Sequence, residues 1–531
     1  MNSSVYKHIQ NHLFPCLFFS ILTGLFAALI ASVFKLAAEW TIHLSTSLYG
    51  AVRSAPAFLP LLILGAALMG FLASIILSFT HNCRGGGIPT SVAAIRGIIS
   101  FNWLASIIAL PISALLTFLS GVPLGTEGPC VQMGTAIGDG VISCFGSKKH
   151  RAWRRYAMTG GASAGFSIAT SSPITAILFS FEELNKHFSP MLLTFASLSV
   201  LTAQAVAHFL ASLGFGSIGF FHLSRIDALP LKMIFAPIIV GLICGLCSIF
   251  FSRFYHFVNK IMKYLLKKVS VKIMFPILFA SIALIGFFMA EVLSSGHSLV
   301  DTLFDTRMTW YLLILIFLIR ALLMTISNTS GVTGGVFLPT IAFGAIIGSL
   351  CAEIMISLGW IAPHHRILMI VLGITAFLGS TSRIPLTASV FAVEALGGIN
   401  NILAIVIAAT VAVLVVEVSG TEDFTDTVIE AKVHSITKGK KPTVIEVPLR
   451  VMQNSFVVGK ELHDLLWPHS CVVVSYERAN KDSHEFGIAE GDVITVHYTT
   501  YHPEETAKEL RALVGKQPEE IYNIMTCLQR G

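Results

Sequence analysis

The chain has 531 residues, of which 54% are hydrophobic and only 12% charged, about half the charged share of a soluble globular domain. Its mean hydropathy is +0.77. These values exclude a disordered chain, a disulfide-framed secreted module and a plain cytosolic enzyme, and they leave a polytopic membrane protein; the net charge of +6 is too diffuse to imply nucleic acid.

Apolar runs long enough to span a bilayer fall near 13–45, 59–79, 104–122, 189–212, 233–258, 273–292, 309–327, 337–358, 366–379 and 399–417. The first run lacks a convincing cleavage site and reads as a membrane helix rather than a signal peptide. Between the runs lie pieces broken by glycine and proline, such as GGGIPTSVAAIRG, GTEGPCVQMGTAIG and GGVFLPTIAFGAIIG. Irregular backbone of this kind would leave unpaired amides and carbonyls in hydrocarbon, so these pieces line a cavity or pack against protein. The nine cysteines sit mostly inside apolar runs and suggest no disulfide framework. Cys244 and Cys247 form a C-x-x-C in the apolar stretch IIVGLICGLCSIFF, which offers no polar partner for metal or redox chemistry.

Hydropathy drops after Val418, and from about Pro442 the chain alternates like a small soluble α/β unit. This divides it into a membrane part, 1–435, a linker, 436–442, and a tail, 443–531. The tail has expected strands at 443–447, 471–476 and 493–498, and expected helices at 460–466 and 503–513. Lys438, Lys440 and Lys441 in the segment 434–441 place the tail on the cytoplasmic face, and Lys260, Lys263, Lys267, Lys268 and Lys272 mark a second cytoplasmic loop. The side taken by the basic cluster Lys148, Lys149, Arg151, Arg154 and Arg155 is left open by the broken helices around it.

The membrane part is internally repeated. SSPITAILFSFEEL and SRIPLTASVFAVEAL align at a constant offset of 212 from the proline onward, pairing Pro173 with Pro385, Thr175 with Thr387, Phe179 with Phe391 and Glu182 with Glu394. GTEGPCVQMGTAIG and GVFLPTIAFGAIIG align at 210, pairing Pro129 with Pro339, Gly134 with Gly344 and Gly138 with Gly348. Duplicated halves interrupted by glycine and proline at corresponding places point to a transport site near the bilayer midplane.

Each interrupted segment puts glycines before a helix-compatible run, which exposes free amides at a helix start. Such an end carries roughly +0.5 charge and, at about 5 Å and an effective dielectric near 20, stabilises a monovalent anion by roughly 1.7 kcal/mol. Three ends give about 5 kcal/mol, comparable with the several kcal/mol that desolvation costs. The arrangement suits a small anion that must also leave, and requires no lysine or arginine in the pore. The alternative is that the glycines serve close helix packing.

Together GGGIP (85–89), GTEGP (125–129) and GGVFLP (334–339) resemble the three signature motifs of the CLC family of chloride channels and chloride/proton antiporters, and the resemblance covers roughly 13–435. It implies an all-α polytopic membrane protein, a CLC-type inverted repeat of broken helices (about 13–212 and 233–435), with the small soluble α/β domain at the C-terminus. It further implies a homodimer in the lipid bilayer with one anion pathway per subunit and no cofactor or metal. Carried over by motif, the anion-binding positions are Gly85, Gly86, Gly87, Ile88, Pro89, Thr126, Gly128, Gly335, Val336, Phe337 and Leu338, with Phe424 near the tyrosine position. Glu127 is similar to the family's gating glutamate, whose carboxylate occupies an anion site and leaves on protonation; the alternative is a helix cap. Glu183 resembles the antiporters' internal proton-transfer glutamate, against the alternative of a solvated helix end. Its repeat counterpart is Ala395, whereas Glu182 has Glu394, which argues for a paired structural role there.

Three departures bear on selectivity. Gly86 stands where the family usually has serine, Phe424 where it usually has tyrosine, and Thr126 where a basic residue usually precedes the gating glutamate. The first two remove hydroxyl donors from the central site and the third weakens the positive field at the outer entrance. Glu39, Glu291, Asp301, Asp305, Glu353 and Glu417 lie near segment ends and are expected to be solvated or paired, and Arg96 to pair or snorkel.

The tail resembles TrkA-C type regulatory domains through SFVVGKELHDLL, CVVVSYER and FGIAEGDVITVHY. Such domains dimerise, and some bind small ligands, including cyclic dinucleotides. The expected activity is exchange of chloride, or a similar monovalent anion, for protons across a prokaryotic inner membrane, driven by gradients since no nucleotide loop is present. A passive anion channel and a tail-regulated cation transporter are the alternatives. Against the cation transporter, the motifs offer helix starts where cation sites need carbonyls or carboxylates.

Overall fold

The computed structural model describes residues 12–80, 83–85, 87–99, 102–146, 148–215, 221, 226–437, 442–453, 455–468, 471–479 and 487–526. Gly86, Lys438, Lys440, Lys441 and Cys527 lie outside the described residues.

The first half comprises α1 (Phe14–Ser54), α2 (Leu59–Phe79), α3 (Ile88–Ile95), α4 (Trp103–Leu119), α5 (Glu127–Phe145), α6 (Arg154–Thr170), α7 (Pro173–Phe179), a π-helical turn (Ser180–Asn185) and α8 (Pro190–Ser212). The second comprises α9 (Phe235–Lys268), α10 (Val271–Phe288), α11 (His297–Asp305), α12 (Trp310–Ser330), α13 (Phe337–Ser357), α14 (Arg366–Thr381), α15 (Pro385–Glu394), α16 (Ile402–Val418) and α17 (Phe424–Thr437). Every apolar run forms a helix. Among the described residues nine helices are long and apolar enough to cross a membrane, so this is a multi-pass membrane protein.

Local chemistry sets the boundaries. Proline opens α1, α2, α3, α7, α8 and α15, in the first turn where its missing N–H costs nothing. Asn102 caps α4 by accepting from the Leu104 and Ala105 amides. In the core α5 packs on α6 and α13 on α14. A side chain at Gly134 would strike the Gly161 carbonyl and one at Gly344 the Gly373 carbonyl, so the same close approach is made in both halves.

Two expectations change. α9 continues to Lys268, so Lys260, Lys263, Lys267 and Lys268 project from helix, exposed, rather than from a loop. α17 runs through Thr437, which absorbs the start of the expected basic linker.

The tail is a three-stranded antiparallel sheet of order β1-β3-β2, with β1 Thr443–Arg450, β2 Cys471–Glu477 and β3 Val493–Thr500. Alternate residues of β1 and β3, among them Ile445, Val447, Leu449, Ile494, Val496 and Tyr498, are buried beside α18 (Pro503–Val514) and α19 (Glu519–Thr526). The helix expected at 460–466 does not form; only Leu462–Asp464 makes a 3-10 turn. Gly459 takes φ +78°, and Glu461 and Leu465 are extended, which lets Leu465 and Leu466 both turn inward, as one helical face could not.

Candidate functional site

The three glycine-rich motifs, far apart in sequence, meet at their helix starts. A Cβ on Gly128 would lie 2.6 Å from the Gly335 Cα and 3.0 Å from the Gly87 Cα, so the backbones leading into α3, α5 and α13 touch with no side chain between them. Gly125 and Gly335 exchange two hydrogen bonds, each amide donating to the other's carbonyl at 2.7 Å. The Gly85 amide donates to Gly331 O at 2.8 Å, and Gly85 (φ +59°) and Gly87 (φ +141°) hold backbone conformations closed to most side chains.

Within the first motif the amides of Gly85 and Gly87 are engaged, the latter by Gln132 Oε1 at 2.8 Å, and Pro89 has none. This leaves the amides of Ile88 and Thr90 as the motif's donors at the start of α3. In the third motif Gly335 is bound to Gly125, so its donors are the first-turn amides of α13 at Phe337 and Leu338, just beyond Val336. Thr126 precedes α5 and its carbonyl accepts from the Cys130 amide at 3.1 Å. The Phe337 ring meets Phe166 and Phe391 edge-on, with centroids 5.0 and 5.6 Å away. Phe424 is buried against Tyr255 at 4.8 Å and Phe251 at 5.8 Å. The Tyr255 hydroxyl beside it donates to Asn328 Oδ1 at 2.7 Å.

Glu127 is the first residue of α5 and is fully buried. Its carboxylate faces its own amide and that of Leu338, at the starts of α5 and α13, without reaching hydrogen-bond geometry to either. A side chain on Gly125 would collide with it. Two helix starts at about 5 Å stabilise a carboxylate by roughly 3 kcal/mol. That nearly matches the several kcal/mol that burying the charge costs. Glu127 therefore sits where a small anion would, in close balance between staying and leaving.

Glu183 lies on the π-helical turn and is 2% exposed, which does not fit a solvated helix end. Thr425 Oγ1 donates to its Oε1 at 2.5 Å, and Oε2 has no hydrogen-bond partner. Beside it Lys186 bridges Asp423 and Asp426, each at 2.7 Å, and Arg96 binds Asp426 at 3.0 Å, which is the pairing expected of Arg96. Lys186, Asp423 and Asp426 line an open cleft of about 540 Å³ that brings water close to the buried carboxyl. Glu182 and Glu394 do different work. Glu182 accepts from the Leu386 and Thr387 amides at 3.0 and 2.7 Å, capping α15. Glu394 accepts from the Ile174 and Thr175 amides at 2.9 Å each, capping α7. The repeat-related acids thus cap each other's helices. Several expected segment-end acids are paired: Asp301 with His297 at 2.9 Å, Glu353 with Arg307 at 3.8 Å, and Glu417 with Arg383.

The tail docks beside this acidic cluster. Glu509 of α18 accepts from Arg154 at 3.2 Å and Arg155 at 2.8 Å. Burial alone would raise the Glu509 carboxyl, but Arg155 and Arg154 together hold it below the usual carboxylate range. Arg155 also donates to the carbonyls of Trp467 and Arg96, at 3.1 and 3.5 Å. None of this was visible beforehand: Gln132, Tyr255 and Glu509 carry no local motif. Asp423 and Asp426, flanking Thr425 in one short stretch, did carry a signal.

The fold and site define a multi-pass protein with a cradle of helix starts around a buried carboxylate. Residues 68–417, more than half of the chain, match the family model described as "Voltage gated chloride channel", and the chain belongs to that family, the CLC proteins. Relatives include proteins named H(+)/Cl(-) exchange transporter ClcA. The one from Vibrio cholerae is 25% identical over 77% of this chain and 87% of that protein. The one from Salmonella schwarzengrund is 24% identical over 78% and 88%. Among solved structures, a slow cyanobacterial Cl−/H+ antiporter superposes with a TM-score of 0.71 at 23% identity, covering 79% of this chain and 98% of that one. A CLC-type fluoride/proton antiporter gives 0.61 at 20% identity, covering 78% and 97%.

Proposed function

We propose that the chain exchanges chloride, or a similar monovalent anion, for protons. One observation carries the reading: a fully buried carboxylate, Glu127, placed against the starts of α5 and α13, where an anion would otherwise be held. In this reading the carboxylate and the anion compete for the same amides. Protonation of Glu127 releases it, an anion takes the place, and the proton passes on toward Glu183, whose carboxyl is held by Thr425 beside the cleft at Lys186 and Asp423. The names of the ClcA relatives support the same assignment. The anion-binding positions remain those expected, with the donors at Ile88, Phe337 and Leu338 and with Phe424 contributing an aromatic edge.

The same reading makes the protein a homodimer of the inner membrane with a cytoplasmic, TrkA-C-like tail. Ile174 and Leu386, on the mutually packed α7 and α15, are about 60% exposed apolar side chains at equivalent places in the repeat and suit a subunit contact.

Reconstituted vesicles test the proposal. A chloride gradient should drive proton uptake; Glu127→Ala should keep anion flux and lose proton coupling, and Glu183→Ala should lose coupling. Anion flux with no proton movement in the unmodified protein would make it a channel, and potassium flux without anion flux would overturn both readings. Full coupling in Glu183→Ala would remove its relay role.

A further inference from the structure

The hydroxyls usual at the centre of the pathway are absent at Gly86 and Phe424, yet a cation stands against the same motif. Lys432 lies on α17, about two turns beyond Phe424. Its ammonium donates to the Arg84 carbonyl at 3.0 Å and the Thr90 hydroxyl at 2.5 Å. These two residues immediately precede and follow GGGIP (85–89), so the ammonium bridges both ends of the loop that opens α3. Thr90 is in the first turn of α3, which begins at Ile88. The charge therefore lies within roughly 8 Å of the Ile88 amide.

We propose that Lys432 is a specificity-determining residue of the anion pathway, supplying at the start of α3 the positive field that the missing hydroxyl donors do not. A hydroxyl rewards an anion whose size lets it hydrogen-bond closely, whereas a charge held behind the loop acts through distance and rewards any monovalent anion. The field draws anions to the Ile88 amide while the site keeps no hydroxyl to sort them by size. The proposal rests on the anion-transport reading.

A unit charge roughly 8 Å from a monovalent anion, at an effective dielectric near 20, corresponds to on the order of a thirtyfold change in affinity. Chloride flux into vesicles should therefore show Lys432→Gln and Lys432→Met raising the half-saturating chloride concentration by about thirtyfold, with Lys432→Arg close to wild type. Thr90→Val, which removes one bond and keeps the charge, should retain wild-type affinity. Lys432→Gln retains a donor for Thr90 and Arg84, so wild-type affinity in Lys432→Gln would overturn the proposal. A thirtyfold loss in Thr90→Val would also overturn it, since bonding rather than charge would then matter. A wild-type protein that carries no anion would instead defeat the transport reading itself.

Discussion

Removing either member of the reciprocal cap should destabilise the membrane core, and the two losses should differ in a fixed order. Glu182→Ala deprives the Leu386 and Thr387 amides of a charged acceptor. Glu394→Ala deprives the Ile174 and Thr175 amides and also the Thr175 hydroxyl, which donates at 2.7 Å. A hydrogen bond to a charged group contributes roughly 1.5–3 kcal/mol, and a lost N-cap in soluble proteins costs about 1 kcal/mol. Ile174 and Leu386 lie at the outer surface, so one amide of each pair is discounted. The loss is then about 2 kcal/mol for Glu182→Ala and about 3 kcal/mol for Glu394→Ala, with each glutamine variant losing about half. Unfolding of the detergent-purified protein in graded denaturant, followed by intrinsic fluorescence, measures this. Wild-type stability in Glu394→Ala, or a larger loss in Glu182→Ala, would refute the argument.

Other outcomes follow from the same contacts. Gly128→Ala puts a methyl against the backbones of Gly335 and Gly87, and should cost more than about 3 kcal/mol and abolish flux, as read by size-exclusion profile and vesicle assay. Glu509 is held below the usual carboxylate range in the folded chain, despite burial, by Arg155 and Arg154. Its contribution to tail docking is therefore complete above the ordinary carboxylate value and is lost as pH falls through the lowered one; hydrogen exchange in α18 should rise at low pH and, in Glu509→Gln, at neutral pH. Burial pushes the Lys460 ammonium down to about 6, with Cys16 opposing weakly. The native state then binds fewer protons than the unfolded one above that value, so docking should strengthen from about pH 6 toward the ordinary lysine range, and Lys460→Met should flatten this profile in the same exchange measurement.

Much of the membrane fold was legible because hydrocarbon imposes long apolar runs and proline marks where they begin; each of the ten runs became a helix. The convergence of the three motifs was legible for a related reason, since glycine is the residue that lets backbones meet, as Gly87, Gly128 and Gly335 do. What escaped was long-range and polar. The bond from Gly87 to Gln132, the Tyr255 hydroxyl beside Phe424 and the Arg154–Glu509 contact depend on partners 45, 73 and 355 residues apart, which no local pattern encodes. In the tail, β1 and β3 show clear alternation and were found, whereas 460–466 has a helix-like composition that Gly459 and the inward-turned Leu465 and Leu466 override.

The paired bonds between Gly125 and Gly335 stitch one half of the duplicated chain to the other beside the Glu127 carboxylate. Swinging the halves apart, as a rocking carrier does, would tear that seam and strand two amides and two carbonyls far from water. With the backbone fastened there, passage is left to what hinges on single bonds: the turning of one carboxyl-bearing side chain makes the smallest door the pathway can have.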